Sequence, residues 1–310
     1  MMVLLGGLAF YLGWAGALRQ EAGALSPGSP IPRPSSLSSD GFEEASPDPE
    51  PLPEAAPERS EEQPSPDSAP DSASAGGGGA APRALASIVI DDCGQDYERE
   101  RGFLELEAPL TLAVLPHLPD SRRLAREAAG RGRSVLLHMP MESSGGADPG
   151  PGALREDMGN EELAGRVREN FLAVPGVCGV NNHQGSHGTT DPRVVRAVLQ
   201  EAARQGVFVL DSRTTSTTIL AQEAQAMGLR TRSRDLFLDH EDDVDRILLE
   251  IDRLGDLALR HGTAVALAHP RPATLQALRV GLPRLREAGV TLVGLHELFQ
   301  SAPVGGDPEP

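Results

Sequence analysis

ASIVIDDCG, residues 86–94, is an apolar run with β-branched side chains that ends in two adjacent carboxylates and a glycine. A run of that length bounded by turn residues reads as a buried strand, 86–91. The same grammar recurs at LTLAVL (110–115), SVLLH (134–138), VCGVNN (177–182), GVFVLD (206–211), LFLD (236–239), TAVALA (263–268) and VTLVG (290–294). Helical patterns separate these runs at 120–131, 160–173, 191–205, 216–227, 241–261 and 272–288. Three of the helices carry start signals: Asp120, Asn160 before Glu161-Glu162, and Asp191 followed by Pro192 at the first helical position. Strands alternating with helices predict a parallel sheet. Seven or eight such units in about 215 residues predict an α/β fold, a distorted (β/α) barrel of about seven parallel strands. An open, doubly wound sheet is the rival arrangement, but no strand runs into the G-x-G-x-x-G turn of its dinucleotide-binding version.

Outward from this core the composition changes. Residues 2–18, MVLLGGLAFYLGWAGAL, are apolar and uncharged, and Arg19 follows. About 17 apolar residues is the lower limit for a membrane-spanning helix. With no basic start, 1–19 reads as an anchor rather than a removed signal peptide. Either way the rest is expected outside the cytoplasm, held at the inner membrane with its domain in the periplasm or secreted to the periplasm. Residues 20–84 hold 13 of the 27 prolines and a net charge of −9, the composition of a disordered, self-repelling tether. Residues 85–302 form one expected domain, and 303–310 a short disordered tail.

The whole chain carries a formal net charge of −17, and all 28 of its basic residues are arginine. Without lysine there is no Schiff-base or general-base lysine and no phosphate-binding P-loop. Strong acidity and only 3% aromatic residues argue against a nucleic-acid partner. Cys93 and Cys178 match neither a disulfide scaffold nor a zinc module, and read as small core residues.

Polar residues gather where the apolar runs end. Asp91-Asp92 follows the first, Pro116-His117 the second, and His138-Met-Pro-Met-Glu142 the third. Asn181-Asn182-His183 follows the fourth, Asp211-Ser212-Arg213 the fifth, Asp239-His240 the sixth and His269-Pro270-Arg271 the seventh. In a parallel β/α fold these ends open on one face, where such folds build their sites. His117, His138, His183, His240 and His269 fall there and His187 lies just beyond, whereas His261 and His296 sit on helical segments. Taken singly, each has an ordinary explanation. Asp91-Asp92 could cap a turn, His138 could be a bonded core histidine, and His183 and His187 could be loop residues around Gly185. Arg213 and Arg271 could be ion-pair partners of Asp91, Asp211 or Asp239. Their coincidence on one face points to chemistry instead. Histidine with carboxylate, and no paired cysteine, suits zinc or another divalent transition metal and the hydrolysis of an amide or ester.

The ordered series IDDCG, LAVLPH, LLHMPMES, PGPGAL, VNNHQGSHGT, LDSRTT, RDLFLD and AHPRPATL covers essentially all of 86–300. It resembles the divergent polysaccharide deacetylase family, a remote branch of the carbohydrate esterases related to chitooligosaccharide deacetylase. The resemblance implies a hydrolase that removes N- or O-acetyl groups from a glycan or peptidoglycan-type polysaccharide, with a divalent ion, zinc first. It implies Asp91 as the base, Asp92 as a metal ligand and His269 as the acid. The esterases complete the metal site with a His-x-x-x-His pair. Strand order matches that pair to His138-x-x-x-Glu142, with glutamate in the second place, whereas the pattern alone matches His183-x-x-x-His187 one strand later. The expected ligands are therefore Asp92, His138 and His183, with Glu142 and His187 in reserve. Asp211, Arg213 and Asp239 are expected to orient Asp91 or His269, or to bind sugar hydroxyls, and Tyr97 to face a sugar. The replaced histidine also supports an alternative, an inactive barrel that binds or scaffolds glycan in the cell envelope. A third reading, hydrolysis of another ester such as a phosphodiester, is disfavoured by the acidity.

Overall fold

A computed structural model describes residues 84–301. The expected anchor, the expected tail and all but Ala84 of the expected tether lie outside the described residues. β1 (Ala84–Cys93) leads to α1 (Tyr97–Leu104), β2 (Thr111–Val114) to α2 (Ser121–Gly130), and β3 (Val135–Met141) to α3 (Asn160–Ala173). β4 (Gly179–Gln184) leads through a 3-10 turn (Gly188–Thr190) to α4 (Pro192–Gln205), and β5 (Phe208–Asp211) to α5 (Leu220–Ala226). Two short strands, β6 (Thr231–Ser233) and β7 (Leu236–Phe237), precede α6 (Val244–His261). β8 (Thr263–Ala268), α7 (Pro272–Glu287), β9 (Val290–Leu292) and α8 (Leu295–Ser301) follow.

Every strand pairing is parallel, in the order β6-β5-β4-β3-β2-β1-β8-β7, with β9 beside the start of β1. The two ends of this curled sheet are consecutive in sequence. The chain leaves the edge of β5 at Ser233 and joins β8 at Leu236. Between them, the Arg234 N–H donates to the Asp211 carbonyl and the Asp235 N–H to the Val265 carbonyl. The chain itself thus bridges the seam of a curled (β/α) barrel, and the strand expected at 236–239 is shorter than its apolar pattern. The expected count of about seven becomes nine, three of them only two or three residues long.

Side chains alternate across each strand. One set (Ile88, Ile90, Leu112, Val114, Leu137, Met139, Val209, Ala264 and Ala266) packs toward the helices. The other set (Val89, Ala113, Leu136, Phe208, Leu210, Val265 and Leu267) fills the barrel interior with Leu295, Leu298 and Phe299 of α8. Phe299 stacks on Phe208 at 4.2 Å between ring centroids, so α8 plugs the end of the barrel opposite the strand C-termini. Neither α1 nor α8 was marked by periodicity, because both span only two turns.

Capping matches expectation at α4, where the Asp191 side chain accepts the Arg193 N–H. It differs at α3, where Gly159 is the N-cap and Asn160 the first helical residue. Asp120 precedes α2 without capping it, and its carboxylate accepts the Tyr97 N–H at 3.1 Å instead. Cys93 and Cys178 are both free thiols.

Candidate metal centre

The alternation decides which strand-end residues enter the barrel mouth. His138 lies two residues after inward Leu136, His269 two after Leu267, Asp91 two after Val89 and Asp239 two after inward-packing Phe237. Asp92, one residue after Asp91, should point outward. The β1–β2 register slips between Ile90 and Cys93, so that β1 carries one more residue than β2 there. Asp92 takes a φ of +56°, and this bulge turns its carboxylate back into the mouth beside Asp91. Aspartate tolerates the left-handed region better than most residues, and such strain concentrates at functional sites.

Three donor atoms converge there. Asp92 Oδ1 is 2.8 Å from His183 Nδ1 and 3.0 Å from His138 Nε2. The two imidazole nitrogens are 3.3 Å apart. Donors on a tetrahedral zinc ion with bonds of 2.0–2.1 Å lie about 3.3 Å from one another, so this set fits such an ion. It is the one group of its kind among the described residues. Two histidines and a carboxylate leave a fourth position open, as catalytic sites do.

Asn181, two residues before His183 on the same inward face, was not singled out from the sequence. Its Nδ2 donates to Asp91 Oδ1 at 2.9 Å, and its Oδ1 lies 3.0 Å from His138 Nδ1. With Nδ2 committed to a carboxylate, Oδ1 must accept from His138 Nδ1–H. That fixes the tautomer which leaves Nε2 unprotonated, its lone pair free to ligate a metal beside Asp92. Inward parity was the signal that could have found it.

The electrostatics separate the two adjacent carboxylates. Burial pushes the Asp91 carboxyl up, against the pull of His138 and His269. Burial also acts to raise Asp92, but hydrogen bonds from His138 and His183 outweigh it and hold that carboxyl well below the usual range. The His138 imidazole is lowered by burial but raised more by Asp91 and Asp92, for a net upward shift.

His269 stands across the mouth, its Nε2 3.9 Å from Asp92 Oδ2. Asp239 braces it twice, through Nδ1 at 2.9 Å and through the backbone N–H at 2.7 Å, and Thr274 Oγ1 donates to the same carboxylate at 2.8 Å. Burial lowers the imidazole, but the Asp239 bond and the nearby carboxylates push it up to about 9. Phe237 stacks on the His269 ring at 5.9 Å, and the Arg234 guanidinium lies 4.1 Å from the Phe237 ring centre. Arg234 Nε donates to the Ser212 carbonyl at 2.6 Å, holding this half-buried cation within electrostatic reach of Asp91. Arg234 opens the RDLFLD stretch, but no role was expected of it.

Other expected site residues lie elsewhere. Glu142 accepts the Glu156 N–H at 2.8 Å and His187 bonds Glu156 at 2.6 Å, a separate clasp between two loops. Neither reserve ligand joins the three donors. Asp211 follows inward Leu210 by one residue, off the inward parity, and its carboxylate is spent on the Arg213 and Ala221 N–H groups and Thr218 Oγ1. Arg213 is exposed. Tyr97 is buried in α1 with its hydroxyl on Glu127, so it faces no sugar. His117 bonds Asn170 on α3 at 3.0 Å, and His240 is exposed, so three of the five strand-end histidines converge.

The sequence profile described as divergent polysaccharide deacetylase matches residues 88–299. The chain belongs to that family. A Haemophilus influenzae protein, named only as uncharacterized, is 31% identical over 218 residues, 70% of this chain and 78% of its own length. The Escherichia coli protein YibQ, likewise uncharacterized, is 34% identical over 193 residues, 62% of this chain, and the match spans 60% of YibQ. A crystal structure of the uncharacterized protein ATU2773 from Agrobacterium tumefaciens C58 superposes with a TM-score of 0.67 at 22% identity, covering 71% of this chain and 90% of that one. At that identity it speaks for the fold of this divergent deacetylase-family domain alone.

Proposed function

We propose that this divergent polysaccharide deacetylase-family chain is a metal-dependent hydrolase of the cell envelope that removes acetyl groups from a glycan, with peptidoglycan-type strands as the substrate class. The observation that carries this is one arrangement: Asp92, His138 and His183 donors on one point, with Asp91 on one side and an Asp239-braced His269 on the other. A divalent ion held by the three donors supplies a Lewis acid for the acetyl carbonyl and makes water more acidic. Asp91, its carboxyl raised by burial, accepts the proton of the attacking water. His269, charged at neutral pH, donates a proton to the departing amine or alcohol of the sugar. Asn181 holds Asp91 and His138 in their working orientations.

The inactive-scaffold alternative drew on the missing second histidine of the third strand. His183, from the adjacent strand, provides the third donor, so that replacement no longer favours inactivity. Envelope placement is supported by the apolar segment 2–18 and the long acidic tether. Among the described residues no helix is long and apolar enough to cross a membrane.

The test is acetate release from N-acetylated oligosaccharides and peptidoglycan by the zinc-loaded chain. We expect release by the wild type, and a fall of about 10²–10⁴-fold in kcat for both Asp91→Asn and His269→Ala with the ion retained. A zinc-loaded wild type that releases no acetate, or variants that match it, would contradict the proposal.

A further inference from the structure

Glu100 has no part in the chemistry above, yet it is a carboxylate only 1% exposed. Its Oε2 accepts the Gly94 N–H at 2.9 Å, and its Oε1 accepts those of Gln95 and Asp96, both at 3.0 Å. Three consecutive amides therefore point at one buried anion, and no guanidinium or imidazole pairs with it among the described residues. Burying a charge without a counter-ion is costly, so these amides are what make the position tenable.

The gathered segment begins two residues after Asp92. Gly94 takes a φ of +114°, and a Cβ there would come within 2.8 Å of Ser121 Oγ, so the backbone passes too close to α2 for any side chain. From the other side, the Leu115 N–H donates to the Cys93 carbonyl at 2.8 Å and the Asp120 N–H to the Gly94 carbonyl at 2.9 Å. The β2–α2 connection thus takes the carbonyls of this turn while Glu100 takes its amides. Within β1, between the paired residues Ile90 and Cys93, Asp92 sits at φ +56° with no ladder partner of its own.

We propose that Glu100 is a positioning residue whose carboxylate, by gathering the amides of Gly94, Gln95 and Asp96, holds the β1 bulge that turns Asp92 toward His138 and His183. This rests on reading those three residues as a metal site. Gln at 100 keeps the shape but replaces an accepting oxygen with an amide nitrogen that cannot accept, leaving at least one buried N–H without a partner. The turn can then satisfy its amides only by shifting, and the shift passes directly to Asp92.

The experiment compares full-length wild type, Glu100→Gln and Glu100→Asp for zinc affinity by calorimetry and for visible absorption with cobalt(II). We expect Glu100→Gln to bind zinc about tenfold more weakly or worse and to change the cobalt band, with Glu100→Asp intermediate. A purely structural Glu100 would lower Tm but leave the affinity and cobalt spectrum of the folded protein unchanged, and that result overturns the proposal. Should the variants fail to fold, amide exchange in metal-free wild type decides. Slow exchange at Gly94, Gln95 and Asp96 supports a turn built before metal binding, and exchange at open-loop rates overturns it. A wild type that binds neither ion refutes the metal reading, while the exchange measurement still judges the hold of Glu100 on the turn.

Discussion

His269 is pulled in opposite directions, and which pull wins decides its use. Burial favours the neutral ring, but the Asp239 hydrogen bond and the carboxylates at the mouth favour the charged one and raise it from 6.5 to about 9. The ring is therefore a proton donor at neutral pH. A dication on Asp92 offsets part of the carboxylate pull, so the alkaline limb of kcat in the metal-loaded protein should fall between pH 6.5 and about 9. Asp239→Asn should move that limb down, and an unmoved limb would remove His269 from the acid role. The sign for stability follows from the same shift. A group whose folded value is raised adds stability that is complete below pH 6.5 and disappears as pH rises through about 9. In the metal-free chain this is worth on the order of 3 kcal/mol, and Tm of the wild type should fall over that window while Tm of His269→Ala changes less.

At the scale of the elements, the alternation of strands explains both what could be read in advance and what could not. Asp91, His138, His183, Asp239 and His269 all follow the inward parity of their strands, so their convergence was legible from residue spacing. Parity also separates Asp211 from the site, although it closes an apolar run as Asp91 does. Asp92 breaks parity, and only the backbone bulge, which leaves no mark in hydropathy, explains how two adjacent carboxylates share one mouth. Spacing offered Glu142 and His187 alike as reserve ligands, and neither lies with the three donors. Their loops clasp each other through Glu156 instead. Asparagine also accepts the left-handed region, so Asp92→Asn should keep the bulge and an unfolding free energy within about 1 kcal/mol of wild type. It should nevertheless lose most of its zinc affinity, because the ligand charge is gone. Loss of fold together with metal would mean that Asp92 acts as a structural residue.

For the whole described domain, the barrel is sealed in two ways that no repeat pattern announced. The chain crosses its own seam through Arg234-Asp235, and α8 fills the closed end beneath the interior layer. The seven-residue α8 is too short for its periodicity to stand out, and its apolar residues become informative only once Phe208 is seen to need a partner. Phe299→Ala should cost about 3–5 kcal/mol in chemical denaturation, with zinc affinity unchanged, because the metal centre lies at the opposite end. An equal loss of metal binding would show that the two ends are not separable.

The central claim is that Asp92, His138 and His183 together hold one divalent ion. Elemental analysis of the purified full-length protein after zinc reconstitution tests it most directly. One ion per chain is expected in the wild type and in Glu142→Ala and His187→Ala, and none in Asp92→Ala or His183→Ala. A wild type without metal, or an ion that survives His183→Ala and is lost in His187→Ala, would contradict it.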